Sequence, residues 1–205
     1  MSLPTEELPL VPKPPEDEPA PACILLGRFQ PFHLGHIALI EQAFASQSCD
    51  SPRILIGSSN RIESEDNPWT WEERQQMIEV WLAATHPDRN VDLVAVPDIE
   101  DPSNWVAHAA RYHGRPGMLF TSDARTAALY SEAGWPVEIC ALERRDSLQG
   151  WRVRTTLKML SVVSEREAVI SVMSESLHES VIEWMLQEDR LSRLAVIGPP
   201  VEPVG

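Results

Sequence analysis

The stretch GRFQPFHLGH, residues 27–36, stands between an apolar run of strand type and a segment of helical type, LGHIALIEQAFAS at 34–46. A short strand that leads through a glycine-containing turn into a helix is the first half of a β–α–β unit. The opening glycine lets a ligand approach the backbone, and the helix start offers free N–H groups and a partial positive charge to an anion. His33 and His36 fall in that first helical turn. The stretch therefore predicts an anion site at the end of a first strand.

The same alternation of strand and helix continues along the chain and predicts the fold. Apolar, β-rich runs recur between helix-like segments, which is typical of a parallel sheet flanked by helices. Right-handed crossovers then give a Rossmann-like, doubly wound α/β sheet of five parallel strands with C-terminal helices, and ligands bind beyond the carboxyl ends of such strands. The predicted strands are ACILL (22–26), RILIGSS (53–59), VDLVAVP (91–97), GMLFTS (117–122) and PVEICAL (136–142).

Local signals place several helix ends. Thr70 and Glu73 form a T-x-x-E capping box, which predicts that a helix begins there. Another helix is expected from about Trp105, and Gly134 is suited to end a helix in the left-handed conformation. A further helix is predicted after Gly150.

Composition divides the chain into one folded domain and two tails. Residues 1–21 are rich in proline and acidic residues and poor in aromatic ones, so they predict a disordered acidic tail. Residues 194–205 are broken by prolines and predict a second, flexible tail. The folded domain is expected over residues 22–193.

Charge and cysteine usage exclude several classes of protein. The formal net charge is -14, which argues against binding of a nucleic-acid polymer because polyanion binding needs a basic face. No apolar run approaches the roughly 18 residues of a membrane span, and the amino terminus lacks the pattern of a secretory leader, so we expect a cytoplasmic protein without membrane contact. Cys23, Cys49 and Cys140 are odd in number and widely spaced, which indicates neither a disulfide framework nor a zinc site and favours a reduced compartment.

Taken whole, GRFQPFHLGH resembles the signature of the HxGH nucleotidylyltransferase superfamily, and its GRFQPxHxGH form is similar to that of the archaeal-type nicotinamide mononucleotide (NMN) adenylyltransferases. Three later segments are similar to this family: IGSSNRIESEDNPWTWEERQQMI to a stretch ending in NPFTxxER, VPDIEDPSNWVAH to an acidic loop ending in Trp, and LFTSDARTAALYSEAGWPVE to the adenine-side strand and helix. The resemblance covers about residues 22–190. It implies transfer of AMP from ATP to NMN, giving NAD and pyrophosphate, with Mg²⁺ on ATP, no protein nucleophile and a homo-oligomeric protein.

The resemblance also implies roles for individual residues. His33 and His36 would face the triphosphate, with His36 nearest the reacting α-phosphate, and Arg154 would complete the catalytic group. Trp105 would stack on the nicotinamide ring, and Asp123 would lie near the adenosine. The residues expected at ATP and its phosphates are Gly27, Arg28, Phe29, Gln30, His33, His36, Asp123, Arg145, Gln149, Gly150, Trp151, Arg152 and Arg154. The residues expected at the nicotinamide nucleotide are Ser58, Asn67, Arg74, Asn104 and Trp105.

The second phosphate motif departs from the family pattern at two positions. The family has SGTxIR after an upstream arginine, and the matching stretch here is RDSLQGWRVR. Gly150 and Arg154 match, whereas Gln149 and Trp151 stand where the family has Ser and Thr. The amide of Gln149 and the guanidinium of Arg152 are donors that suit phosphate in place of the missing hydroxyls.

Two other functions remain open at this stage. A degenerate transferase that binds NAD or ATP as a sensor is suggested by Gln149 and Trp151, and it would bind nucleotide without releasing pyrophosphate. An adenylyltransferase with a different phosphate acceptor is the other alternative. The NPWTxxER segment and the loop that ends at Trp105 argue against that second alternative.

Overall fold

The structure of the protein, a computed structural model, describes residues 9–49, 52–115 and 117–198. Contacts within these residues form two units. The first takes the residues up to Gly27, Glu41–Arg61 and Val91–Ala141, and the second takes Arg28–Ile40, Ile62–Asn90 and the residues from Leu142 onwards.

The first unit contains a five-stranded sheet in which all four pairings are parallel. The strand order is β3-β2-β1-β4-β5, so the chain builds outward from β1 and then returns to the other side of β1 with β4. This confirms the predicted Rossmann-like α/β fold. The strands are β1 Cys23–Gly27, β2 Pro52–Gly57, β3 Asp92–Val96, β4 Met118–Thr121 and β5 Val137–Ile139.

The last strand is shorter than the predicted run at 136–142. Its partner β4 ends at Thr121, which pairs with Ile139, and a final hydrogen bond runs from Cys140 N to Thr121 O at 2.8 Å. Beyond Thr121, β4 has no further residues with which β5 can pair. The length of β5 is therefore set by its partner.

Two helices of the first unit, α3 (Trp105–His113) and α4 (Ala124–Glu132), pack on the strands. α3 begins at the predicted residue, Trp105, and Gly134, which follows α4, has the expected positive φ, 81°. The core between strands and helices is formed by buried apolar side chains from every layer. Its members are Ile24, Leu55, Val96, Val106, Ala109, Tyr112, Leu119, Tyr130 and Trp135.

The second unit is helical. Thr70 and Glu73 form the predicted capping box at the start of α2, and α2 packs against α7, where Trp184 Nε1 donates to Gln76 Oε1 at 3.1 Å. The sequence did not predict α6, whose N-cap residue Glu165 makes no side-chain capping bond. The helices are α2 Trp71–Thr85, α5 Gly150–Leu160, α6 Arg166–Met173 and α7 Glu179–Leu186, and α1 (Leu34–Ala45) begins in this unit and ends in the first.

Residues 9–21 contain no helix or strand, yet they follow a defined course along the first unit. Their carbonyl groups accept hydrogen bonds from Ser59 Oγ at 2.6 Å, Asn60 Nδ2 at 3.0 Å, Tyr112 Oη at 3.1 Å and Arg53 Nη1 at 3.0 Å. The polar side chains of the folded unit thus order a segment that has little apolar surface of its own. Residues 1–8 lie outside the described residues, and the disorder of the tail 1–21 stays a prediction.

At the other end, Leu194 lies in a short 3-10 helix and is buried in the second unit. Ile197 O accepts a hydrogen bond from Lys158 Nζ at 3.1 Å. Residues 199–205 lie outside the described residues, and the flexibility of the tail 194–205 stays a prediction.

Cys23 and Cys49 are joined by a disulfide, with their Cα atoms 5.6 Å apart. The expectation that the cysteines do not pair was therefore wrong for these two. Although they are 26 positions apart, the parallel register sets Cys23 beside Pro52, and Cys49 lies just before that strand. Cys140 is buried and free.

Among the residues that the structure describes, we find no helix long and apolar enough to cross a membrane.

Candidate active site

Four predicted site residues of the first unit lie at the carboxyl ends of its strands. Gly27 ends β1 and Ser58 directly follows β2. Asn104 precedes α3 after β3, and Asp123 is the N-cap of α4 after β4. Because the strands are parallel, these ends share one edge of the sheet, which is the edge where α/β sheets bind ligands.

Local hydrogen bonds hold this edge in place. Asn104 Nδ2 donates to Asp101 Oδ2 at 2.6 Å, and this bond is the largest cause that lowers the pKa of the Asp101 carboxyl. Asp123 Oδ1 accepts from the backbone N–H of Thr126 at 2.8 Å and thereby caps α4. Ser58 has a positive φ of 56°, a strained conformation for a residue with a side chain and one that is concentrated at functional sites.

Trp105 is the first residue of α3 and packs with one side against the core of the first unit. Its ring centroid lies 5.8 Å from that of His108, whose Nε2 is 2.9 Å from Pro97 O. Since it is only partly buried, Trp105 keeps ring surface at the sheet edge. This is the arrangement that stacking on a flat ring requires.

In the second unit, aromatic side chains support the turn of residues 28–36. Phe29 is buried although its φ is 51°, and its ring meets the His36 ring edge-on at 4.8 Å between centroids. Phe32 is fully buried between His36 and Trp81, with ring centroids 6.0 Å and 5.4 Å away. The two phenylalanines therefore pack against the imidazole of His36.

His33 and His36 form a stacked pair at the start of α1, with ring centroids 3.7 Å apart. The backbone N–H of Gly35 donates to His33 Nδ1 at 3.1 Å, and the backbone N–H of His33 donates to His36 Nδ1 at 3.3 Å. Each neutral ring must then carry its proton on Nε2. A Cβ atom at Gly35 would lie 3.0 Å from His33 Cε1, so any larger residue at position 35 would crowd the His33 ring. The pair presents two Nε2–H donors.

Both imidazoles are neutral in this arrangement. Burial lowers the pKa of His33 to about 4. Burial also lowers the pKa of His36 well below its ordinary value, and the neighbouring His33 lowers it further. Both histidines lie in the predicted anion site, and they supply it with neutral hydrogen-bond donors.

Positive charge comes from two arginines beside the same turn. Arg28 Nη2 donates to Asp66 O at 2.9 Å and to Asn67 Oδ1. Arg154 Nη1 donates to Gln30 O at 2.8 Å, and Arg154 Nη2 pairs with Asp66 Oδ1 at 3.1 Å. Burial lowers the pKa of Arg154 from its ordinary value, but a guanidinium remains charged at neutral pH.

Gln30 and Arg74 serve the framework of the turn. The Gln30 amide exchanges two hydrogen bonds with the backbone of Trp69, donating to its carbonyl at 2.7 Å and accepting from its N–H at 3.3 Å. Arg74 is fully buried and donates to Arg28 O at 2.6 Å and Thr70 O at 3.1 Å. Both side chains therefore hold the backbone around the turn, and their ligand contacts stay a prediction.

The second phosphate motif lies against the first. A Cβ atom at Gly150 would lie 3.3 Å from Gln30 O and 3.4 Å from Arg154 Nη1, so the start of α5 approaches the turn closely. The Trp151 side chain is 54% exposed, and its Nε1 donates to Gln149 Oε1 at 2.6 Å. The Gln149 side chain does not cap α5, while the Gln149 carbonyl accepts from the backbone N–H groups of Arg152 and Val153 at 2.9 Å and 3.1 Å.

The two remaining arginines of this motif are more exposed. The Arg152 guanidinium lies over the Trp151 ring, 4.6 Å from its centroid, in a cation–π contact. Arg145 is exposed in the loop before α5. Neither is buried in the way that Arg154 is.

Sequence reasoning missed a carboxylate that touches the site. Asp66 pairs with Arg154, and Glu65 pairs with Lys158 at 2.8 Å. Both acids border a cavity of about 240 Å³ that is also lined by Arg154 and Trp151. The signal available in the sequence was the acidic run ESED directly before NPWT, which sets carboxylates within reach of the motif cations.

Within the described ranges, no three or more His, Cys, Asp or Glu side chains come together in a way that could hold a metal ion. The donors around the turn are nitrogen atoms with one nearby carboxylate. Such a set suits phosphate oxygens better than it suits a bare divalent cation.

Comparison with known proteins agrees with these motifs. Residues 24–114 match the cytidylyltransferase-like family. The chain is 31% identical over 131 residues to the nicotinamide-nucleotide adenylyltransferase of Pyrococcus horikoshii, covering 64% of this chain and 69% of that protein. The chain belongs to the nicotinamide-nucleotide adenylyltransferase family. The member from Thermoplasma volcanium is 28% identical over 180 residues, which cover 88% of this chain and 94% of that protein.

A solved structure shows the fold of this family in a larger protein. A bifunctional NMN adenylyltransferase/ADP ribose pyrophosphatase from Francisella tularensis, complexed with AMP and a manganese ion, superposes with a TM-score of 0.56 at 19% identity. The match covers 80% of this chain and 51% of the other, so the chain spans about half the length of that protein.

Proposed function

We propose that this family member transfers AMP from ATP to nicotinamide mononucleotide, giving NAD and pyrophosphate. The observation that carries the proposal is the group formed by the stacked imidazoles of His33 and His36 with the guanidinium groups of Arg28 and Arg154. This group offers Nε2–H donors, a helix start and two fixed charges at one turn. Those are the features that a bound triphosphate needs.

The reaction requires no protein nucleophile. The 5′-phosphate of the mononucleotide attacks the α-phosphorus of ATP in line, the new P–O bond forms as the bond to the β-phosphate oxygen breaks, and pyrophosphate leaves. His36 would donate from Nε2 to the α-phosphate, while His33, Arg28 and Arg154 would bind the phosphates that leave. Catalysis then consists of positioning two anions and stabilising charge on the transferring and leaving oxygens.

Magnesium enters this proposal as part of the ATP substrate. A divalent ion on the triphosphate supplies charge neutralisation to the leaving group. The nitrogen donors of Arg28, Arg154 and the imidazoles would bind the phosphate oxygens that the ion leaves open.

The resemblance also assigns residues at the sheet edge of the first unit to nucleotide binding. Trp105 would offer ring surface to the nicotinamide, and Ser58 and Asn104 lie on the same edge of the sheet. Asp123, at the end of β4, is assigned to the adenosine side. The homo-oligomeric state that the resemblance implies and the cytoplasmic location expected from the sequence belong to the same proposal.

The two departures in the second motif are compatible with catalysis. The exposed Trp151 indole is tied to Gln149 and leaves the first turn of α5 uncapped by side chains. Backbone N–H groups there can take over from the hydroxyl groups that the family places at these positions. For this reason we prefer an active transferase to a nucleotide sensor.

The test is pyrophosphate release together with NAD formation from purified protein, ATP and Mg²⁺, with and without nicotinamide mononucleotide. We expect pyrophosphate only when the mononucleotide is present, in a one-to-one ratio with NAD. A parallel series with nicotinic acid mononucleotide measures which acceptor is preferred. Folded protein that binds NAD or ATP but releases no pyrophosphate would favour the sensor instead.

A further inference from the structure

One dipeptide, Asp66–Asn67, contacts both arginines of the phosphate group. Arg28 is held by the carbonyl oxygen of Asp66 and the side-chain oxygen of Asn67, both of which are neutral acceptors. Arg154 is held by the Asp66 carboxylate, with 3.1 Å between Arg154 Nη2 and Asp66 Oδ1. The carboxylate is therefore the charged partner of Arg154.

The Asp66 carboxylate supplies negative charge that offsets the repulsion between the two arginines. Arg28 and Arg154 are close enough to repel each other, since Arg28 lowers the pKa of Arg154 whereas Asp66 raises it. A bound triphosphate would supply the same compensation with more charge and more oxygen atoms. Asp66 and phosphate are thus alternative partners for one guanidinium.

Asp66 is exposed and Arg154 is not, which allows the carboxylate to leave while the guanidinium stays. The Asp66 side chain is 80% exposed, while that of Arg154 is 14% exposed. Asp66 can turn into water without losing a buried contact. Arg154 stays in place because Nη1 keeps its hydrogen bond to Gln30 O.

The neighbouring acids hold the rest of the segment to the second unit. Glu65 pairs with Lys158 at 2.8 Å, and Arg193 pairs with Glu63 at 3.7 Å and donates to Pro68 O at 2.7 Å. The backbone around Asp66 is therefore anchored on both sides. Only the Asp66 side chain has to move for Arg154 to change partner.

We propose that Asp66 is a displaceable counterion of the triphosphate site: its carboxylate leaves Arg154 when the triphosphate binds and returns when pyrophosphate leaves. This inference rests on the proposed function. It makes Asp66 a residue that sets the affinity for phosphate without contacting substrate. Its presence weakens binding of ATP and speeds the loss of pyrophosphate.

The variant Asp66→Asn tests this directly, because it removes the charge and keeps the size and the backbone carbonyl that holds Arg28. Titration calorimetry with magnesium pyrophosphate should show binding about two- to fivefold tighter than in the wild type, the range that one exposed ion pair supports. Glu167→Gln, which neutralises an exposed carboxylate on α6, is the matched control and should leave the affinity unchanged. In steady-state assays, KM for ATP should fall with Asp66→Asn.

A double-mutant cycle separates exchange from a positioning role. If Asp66 competes with phosphate for Arg154, Asp66→Asn should no longer tighten pyrophosphate binding when Arg154→Gln is also present. The affinities of the Arg154→Gln proteins are measured at raised pyrophosphate concentration. Binding that is unchanged or weaker in Asp66→Asn, with wild-type binding intact, overturns the inference and leaves the proposed function standing. If neither the wild type nor the variant binds pyrophosphate or ATP, the proposed function fails and this inference fails with it.

Discussion

The stacked histidines make the stability of the protein depend on pH in a defined direction. An unfolded histidine takes up a proton near pH 6.5, whereas burial keeps His33 neutral until about pH 4. Between these values the unfolded state binds more protons than the folded state, so the free energy of unfolding falls as the pH falls. At about 1.36 kcal/mol per pH unit, the interval corresponds to about 3 kcal/mol for His33 alone.

The variant His33→Asn isolates this contribution, because the Asn side-chain oxygen can still accept from the Gly35 N–H without titrating. Urea unfolding followed by tryptophan fluorescence, at constant ionic strength from pH 7.5 to pH 4, gives the free energy of unfolding of both proteins. We expect the advantage of the wild type over the variant to shrink by about 3 kcal/mol over this range. A difference that stays constant with pH would refute the argument that His33 is buried and neutral.

His113 provides an independent check in the first unit. It is fully buried, its Nε2 lies 3.1 Å from the Tyr130 hydroxyl, and burial lowers its pKa to about 4 as well. In the same analysis, the stability advantage of the wild type over His113→Asn should shrink by a similar amount over the same range of pH.

Three further predictions follow from contacts described above. His36→Ala should lower turnover by about 10² to 10³ while the fold is kept, because it removes the Nε2–H donor proposed for the α-phosphate. Gln30→Ala should lower the free energy of unfolding by about 2–4 kcal/mol, since it leaves both backbone groups of Trp69 without their partner, as chemical denaturation would measure. Cys49→Ser should cost about 3.5 kcal/mol of stability in oxidising buffer, from the 26-residue separation of the bridge to Cys23.

Each of these has its own control. Near-wild-type turnover in a His36→Ala protein with an unchanged circular dichroism spectrum would reject the catalytic assignment. Gln42→Ala removes an exposed side-chain hydrogen bond to Ala141 O and should lower the free energy of unfolding much less than Gln30→Ala does. The loss in Cys49→Ser should disappear when both proteins are compared in reducing buffer, and a loss that persists there would have another cause.

Features that depend on a few neighbouring residues could be predicted from the sequence. The capping box of Thr70 and Glu73 acts within one helical turn, and the positive φ of Gly134 follows from the lack of a side chain. The order of strands and helices likewise follows from local periodicity, and parallel strands bring Gly27, Ser58 and Asp123 to one edge. These features need no knowledge of distant contacts.

Features that depend on contacts between distant positions were not predictable in the same way. The disulfide between Cys23 and Cys49 follows from the strand register. The hydrogen bonds of the Gln30 side-chain amide depend on backbone groups 39 positions away. The neutral state of His33 depends on burial, which a motif does not express. The pairing of Asp66 with Arg154, 88 positions further along, likewise depends on the fold.

The course of residues 9–21 along the first unit has a consequence for where the protein can be shortened. A Cβ atom at Gly114 would collide with Pro19 O, so this glycine leaves room for residues 9–21. A chain trimmed to begin at Ala22 would keep the sheet but remove the acceptors of Ser59 and Tyr112. Residues 9–21 are thus an integral layer of the first unit, and trimming them uncovers polar groups that the sheet and α3 cannot satisfy themselves.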